Sequence, residues 1–195
     1  MTDKVFETHC KKLNQKWKPA DRHSAPFQKP EYFDGFMYYG HGQVLVRQKS
    51  DHVNTIDKLP IPVDNVFERY GMSSAEQFEI EDVKHFYDMI HPFYAERKEI
   101  SNGLRIKFAP DYIEFGVKPI DHTDNLITHG KWTVKINELT QPIKLTINPK
   151  YLYDAVYVFK RLKLPLTIDY FGKLQGLLFS SGDLEMLLSP IRDEW

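Results

Sequence analysis

The chain has 195 residues, a formal net charge of −1 and a single cysteine. That length admits one or two domains with a sizeable core, the balanced charge argues against a generic basic DNA-binding domain, and the lone Cys10 rules out an internal disulfide, so a reducing compartment is expected. No apolar run approaches the roughly 20 residues needed to span a bilayer, and the start, Met1-Thr2-Asp3-Lys4, lacks an apolar signal region, which predicts a cytoplasmic protein without a membrane partner.

Residues 4–17 set Val5, Phe6, Cys10 and Leu13 near helical spacing, and Lys11, Lys12, Lys16 and Lys18 make the rest of this first predicted helix basic. Pro19, Pro26 and Pro30 then make the following stretch too proline-rich for a core element. Residues 33–39 and 43–47 read as a hairpin around Gly40-His41-Gly42, with a further strand at 52–56, and Leu59-Pro60-Ile61-Pro62-Val63 closes the region as a linker.

Phe78, Glu79 and Ile80 form the next predicted strand. Asp82 is placed to cap a helix whose apolar stripe is Val83, Phe86, Tyr87, Ile90 and Phe93 or Tyr94. Pro92 falls inside that stripe and predicts a kink or an early end. Residues 104–108 alternate cleanly, Ala109-Pro110-Asp111 turns, and 112–117 returns as the hairpin partner. Residues 132–136 alternate as well, and 143–147 leads into the last helix.

That helix opens on Asn148 as cap and Pro149 at the first helical position. Leu152, Ala155, Val156 and Phe159 share one face, while Lys150, Lys160, Arg161 and Lys163 lie outside it and make a basic side. Pro165 prevents continuation. Three strands are predicted at 166–170, 174–180 and 185–188, separated by Phe171-Gly172-Lys173 and Ser181-Gly182-Asp183.

Chemistry-bearing patterns are few. Pro110-Asp111 followed by Glu114 and Lys118 superficially matches a metal-dependent nuclease, but that pattern leaves one residue between acid and lysine where this chain leaves three, and Asp111 suits a turn. His85 and His91 are six apart and do not share a helix face as an i, i+4 zinc pair does. Asp121, His122, Asp124 and His129 surround a polar loop better read as a solvated hairpin tip, and Cys10 beside His9 as a buried thiol. No phosphate loop, Ser-His-Asp arrangement or dinucleotide fingerprint is present, so no enzyme activity, metal or cofactor is expected.

The segment Lys150-Tyr151-Leu152-Tyr153-Asp154-Ala155, the three strands after it and the ending Ser189-Pro190-Ile191-Arg192 resemble the last half-module of the bacterial sliding clamp, the beta subunit of DNA polymerase III. The order strand, helix, strands recurs upstream, so residues 76–191 resemble one clamp domain of two half-modules, within a clamp-like domain placed at 76–195. Residues 1–75 are either an N-terminal extension or a reduced third half-module. The resemblance implies an α+β, DNA-clamp-like fold in which one helix per half-module packs on antiparallel strands.

It also implies a function: a non-enzymatic scaffold for DNA replication that binds duplex DNA nonspecifically, engages a DNA polymerase or other clamp-binding proteins, and assembles head to tail as a homo-oligomer. Lys11, Lys12, Lys16, Lys150, Lys160, Arg161 and Lys163 would contact phosphates without reading bases. Leu188, Pro190, Ile191 and Arg192 match the clamp's peptide groove. The chain departs from the family there: Ser189 replaces the usual methionine, Asp193-Glu194-Trp195 follows, and Gly40-His41-Gly42-Gln43 lacks the arginine of the family's Gly-His-Arg-Leu. An alternative is a clamp-fold adaptor, from a phage or plasmid, that modulates the host replication machinery without encircling DNA; a metal-dependent nuclease is a third.

Overall fold

The computed structural model describes residues 4–8, 27, 29–41, 44–60, 63, 66–67, 76–95, 100–119, 128–134, 136, 139–163, 165–172 and 175–191. Their strands are β1 (Glu31–Phe33), β2 (Phe36–His41), β3 (Val44–Lys49), β4 (Glu76–Ile80), β5 (Ile100–Ala109), β6 (Tyr112–Pro119), β7 (Thr128–Thr133), β8 (Ile143–Ile147), β9 (Leu166–Tyr170), β10 (Leu177–Ser181) and β11 (Leu184–Leu188). Two helices, α1 (Val83–Ala95) and α2 (Pro149–Leu162), lie among them. Residues 4–8 are also helical.

Within residues 76–188 the order β-α-β-β-β occurs twice, and the two copies exchange their first strands. β4 leaves its own half to pair with β9, giving the order β4-β9-β10-β11, while β8 pairs with β5 to give β8-β5-β6-β7. Every one of these pairings is antiparallel. Each of these four-strand sets therefore draws one strand from the other half-module. The fold class is α+β, with one helix per half-module packed on antiparallel strands.

Alternation decides which side chains face the helices. On β5, Leu104, Ile106 and Phe108 are fully buried, as are Ile113 and Phe115 on β6. Phe86 of α1 lies against Phe108 and Phe115, and Phe93 against Phe115 and Trp132, so α1 covers the four-stranded sheet. Phe159 of α2 meets Phe179 of β10 on the other sheet. The sheets meet where the rings of Phe78 and Phe108 lie 5.0 Å apart.

The larger sheet continues past β11 into β3, β2 and β1, making seven strands in the order β1-β2-β3-β11-β10-β9-β4. The hairpin read above at 33–39 and 43–47 is β2 and β3, with Gly42 and Gln43 of its turn outside the described residues, but its first strand begins only at Phe36: Phe33 ends β1, and Asp34 and Gly35, both at positive φ, turn the chain between β1 and β2. Phe6, of the 4–8 helix, is buried in the main core, and Tyr32 donates a hydrogen bond to Glu7 Oε1 at 3.1 Å. The outer face of this sheet carries a second core. Tyr38, Leu45 and Leu187 are covered there by Phe27, Leu59, Val63 and Phe67. Arg47 holds the cover down: its guanidinium sits over Phe36 and Phe67, 4.8 and 4.3 Å from the ring centres, and pairs with Glu185.

Three expectations need correction. The strand expected at 52–56 is a loop; Thr55 bonds to Tyr32 of β1, its N–H donating to Tyr32 O and its Oγ1 accepting from Tyr32 N, and Asn54 Oδ1 accepts from Asp34 N, contacts that do not extend the ladder. The strand expected at 132–136 is β7, ending at Thr133, because the chain then turns its N–H groups to the β5–β6 turn, Val134 to Asp111 O and Ile136 to Pro110 O. Pro92 does not end α1, which runs on to Ala95. Burial of Phe93 and the stacking of Tyr94 on Tyr153 at 4.0 Å supply the packing that offsets the missing hydrogen bond.

α2 begins as its sequence dictates: Asn148 Oδ1 accepts from Lys150 N at 3.0 Å, and Pro149 occupies the first turn. It ends on Lys163, at φ 56° and ψ 33°. A residue with a Cβ is disfavoured in that left-handed conformation. Lys163→Gly is therefore expected to raise stability by about 0.5–1 kcal/mol, read as a higher melting temperature by circular dichroism; an unchanged or lower one would contradict this account of the helix end.

Candidate nucleic-acid interface

The two half-modules place their helices side by side. α1 and α2 run antiparallel: Lys160, late in α2, reaches Asp88 and Tyr87, whereas Tyr94, late in α1, stacks on Tyr153 near the start of α2. Their seam is aromatic. Tyr87 stacks on Tyr153 at 4.5 Å and hydrogen-bonds to it through the hydroxyls, and His91 and Tyr157 complete the cluster. Burial, with help from the Tyr153 hydrogen bond, pushes the Tyr87 phenol well above its ordinary range, so it stays uncharged and adds no negative charge to the helix layer. The sequence reading took Tyr87 and Tyr94 as core stripe and missed this seam, although Tyr153 and Tyr157 sit at i, i+4.

The cations of α2 fall into two groups, separated along the axis by about 15–20 Å. Lys150 stands at the first turn, beside the ring of Tyr151 at 5.5 Å. Lys160, Arg161 and Lys163 stand at the other end. They are not equivalent. Lys160 lies back over the Tyr87 ring at 3.8 Å, with its ammonium 3.9 Å from Asp88, which Lys84 also binds at 2.8 Å. The Lys84 hydrogen bond holds the Asp88 carboxyl below its usual range and raises Lys84 in turn, so this pair stays ionised. Arg161 and Lys163 are exposed. Together with Glu81, Asp82, Val83, Lys84 and Lys160 they line a cleft of about 610 Å³ between the start of α1 and the end of α2. Asp82 Oδ1 is engaged there as the cap of α1, accepting from His85 N at 2.8 Å. Lys11, Lys12 and Lys16 lie outside the described residues.

The residues matched to a peptide groove separate. Leu188 is fully buried in the main core, so it cannot line a surface; its neighbour Leu187 points to the outer face, because successive strand residues alternate. Pro190 and Ile191 are half-buried. Ile191 N donates to Thr146 O at 2.7 Å, tying the end of the chain to β8, and its side chain closes over Gly103. Arg192 and Asp193-Glu194-Trp195 lie outside the described residues.

The remaining candidates are dispersed. Asp111 sits in the β5–β6 turn, and Glu114 on β6 stands opposite Lys107 and Lys131. His85 and His91 are exposed on α1. Cys10, Asp121, His122 and Asp124 fall outside the described residues. Among the described residues no group of three or more His, Cys, Asp or Glu side chains is arranged to hold a metal, and no helix is long and apolar enough to cross a membrane.

No family model and no curated protein matches the chain. Solved structures do. A DNA polymerase III beta subunit from Borrelia burgdorferi, in complex with a natural product, is similar over 96% of this chain and 63% of its own, with a TM-score of 0.63 and 10% identity. A DNA polymerase III beta subunit from Eubacterium rectale aligns with 81% of this chain and 41% of its own, at TM-score 0.56 and 13% identity. The Helicobacter pylori beta clamp, bound to a DNA ligase peptide, aligns with 83% and 42%, at TM-score 0.52 and 12% identity. The fold of this chain is that of the bacterial sliding clamps, and the chain spans less than two thirds of the length of each of these.

Proposed function

We propose that, on this clamp fold, the chain is a non-catalytic accessory of DNA replication that lays the layer of α1 and α2 against duplex DNA and offers its opposite side to other replication proteins. Residues 76–191 form one clamp domain in this reading, and β1–β3 the remnant of a third half-module added to the edge of β11. The observation that carries the reading is that the helices of both half-modules share one layer, with Lys84, Lys150, Arg161 and Lys163 on it. Asp88 takes up part of the charge of Lys84 and Lys160, so Arg161 and Lys163 supply the larger share of phosphate attraction.

Arg161→Glu with Lys163→Glu tests it. Duplex affinity, measured by fluorescence anisotropy over a salt series, is expected to fall at least tenfold, and the slope of log affinity against log salt to shrink by about 2, since each lost phosphate contact removes about 0.9. Unchanged affinity and slope would overturn the assignment.

A second reading, the adaptor that never closes a ring, is favoured by the sheet edges. The outer edge of β11 is taken by the chain's own β3, and β1 is flanked by Thr55. The other strands that end a sheet among the described residues are β4, β7 and β8, and Ile191 bridges to Thr146 of β8. Light scattering on the eluting protein separates the two: a monomer at every concentration supports the adaptor, a closed oligomer the ring. Partner binding in either case draws on the half-buried Pro190 and Ile191, by analogy with the peptide-bound Helicobacter pylori clamp.

A further inference from the structure

The outer face of the four-stranded sheet is basic, a feature absent from the sequence reading. Because Leu104, Ile106 and Phe108 point to the helices, Arg105 and Lys107 point away from them, and the same alternation puts Tyr112 and Glu114 of β6, Lys131 of β7 and Lys144 of β8 on that outer face. The register aligns them. Lys131 stands opposite Glu114, Glu114 opposite Lys107, and Lys107 opposite Lys144, so one row crosses all four strands. Arg105 lies in the next row, opposite Gly116 and Thr146. Among the described residues four cations thus share this face with one carboxylate, in a chain whose net charge is −1.

Two directly opposed lysines cost stability in a sheet. Lys107 and Lys144 are such a pair, and the Tyr112 hydroxyl and the Glu114 carboxylate offset part of the charge of Lys107. Tyr112 deepens the concentration of charge: the Lys131 and Lys107 ammoniums lie 3.8 and 5.1 Å from its ring centre. The rest of the face is small, with Gly116 and Thr146 flanking Arg105. A peptide site carries apolar anchors in pockets, whereas the aromatic ring in this row, Tyr112, is already covered by ammoniums, and the half-buried Ile191 at the edge of the face is packed over Gly103 beside Thr146. Point-charge lysines on a flat row about 14 Å long, the width of four strands, suit a run of phosphates.

We propose that the outer face of the four-stranded sheet, through Arg105, Lys107, Lys131 and Lys144, binds the phosphodiester backbone of nucleic acid, independently of the helix layer on the other side of the sheet. Binding is nonspecific in sequence, because none of these groups is placed to read bases.

The test uses the full chain carrying Lys107→Gln, Lys131→Gln and Lys144→Gln, with Lys131→Glu alone as a second variant that changes one exposed side chain. Labelled oligothymidylate and a labelled duplex are titrated by anisotropy over a salt series, and circular dichroism melting confirms that each variant is folded. The triple variant is expected to lose at least tenfold in affinity for one or both probes, with the salt slope reduced by about 2 to 3, and Lys131→Glu to lose severalfold. Arg161→Glu with Lys163→Glu leaves that contribution in place, so failure of the helix-layer reading is seen separately. Which probe loses affinity tells a single strand from a duplex as the source of the phosphates. Retention of wild-type affinity and slope by a folded triple variant overturns the proposal. So does polyglutamate that displaces the oligonucleotide at equal charge concentration and loses this ability in the triple variant, since the face would then be a site for acidic peptides.

Discussion

Phe108→Ala is expected to lower stability by about 3–5 kcal/mol. Phe108 is fully buried on β5, its ring 5.0 Å from Phe78 of β4 and 6.2 Å from Phe86 of α1. It therefore joins a strand of each sheet and one helix at the point where the half-modules interlock. The void left by alanine cannot close easily, because β5 is held in register on both sides, by β6 and β8. Urea unfolding followed by circular dichroism checks this; a loss below about 1.5 kcal/mol, the range of a well-tolerated hydrophobic swap, would mean that the junction of the two sheets does not depend on this ring.

Gly40→Ala is expected to cost roughly 3 kcal/mol and to release the N-terminal hairpin from the sheet. Gly40 has φ +143°, and an added Cβ would lie 2.1 Å from Val44 O and 2.9 Å from Leu45 Cα, backbone atoms that cannot move without breaking the pairing of β2 with β3. Gly35 makes the comparison: φ is +75°, but nothing lies within 4 Å of its added Cβ. Gly35→Ala should then cost only about 1 kcal/mol, the strain of the left-handed backbone. If the two substitutions cost the same, the close approach at Gly40 is not what constrains it. Because β3 carries β11, hydrogen exchange in β11 should rise in Gly40→Ala and stay slow in Gly35→Ala.

Much of the fold was legible in local patterns. The stripe Leu152, Ala155, Val156 and Phe159 is buried against the sheet as its spacing requires, and Asn148 caps the helix that it precedes. The alternation at Leu104, Ile106 and Phe108 was read correctly for the same reason: each depends only on side chains a few positions apart. Where the reading slipped, a contact distant in sequence had decided the matter. Pro92 stays helical because Phe93 and Tyr94 are packed, and residues 52–56 stay a loop although Thr55 bonds to β1 and His52 packs on Tyr32.

The candidate sites were less legible. Lys150, Lys160, Arg161 and Lys163 look alike in sequence, yet Lys160 is drawn onto Tyr87 and Asp88 of the other half-module, 72 or more positions away, while Arg161 and Lys163 remain exposed. Leu187 and Leu188 are adjacent and chemically identical; the face each takes depends on the register of β11 against β3 and β10.

By itself the sequence determined the two helices, most of the strands, the half-module order and the likeness to a clamp ending, because periodicity, caps and turns act over a few residues. The tertiary structure alone decided the exchange of β4 and β8 between sheets, the attachment of β3 to β11, and the alignment of Lys131, Glu114, Lys107 and Lys144 into one row. Those depend on strand register between segments far apart in the chain, and a shift of one residue would turn every side chain in the row to the opposite face.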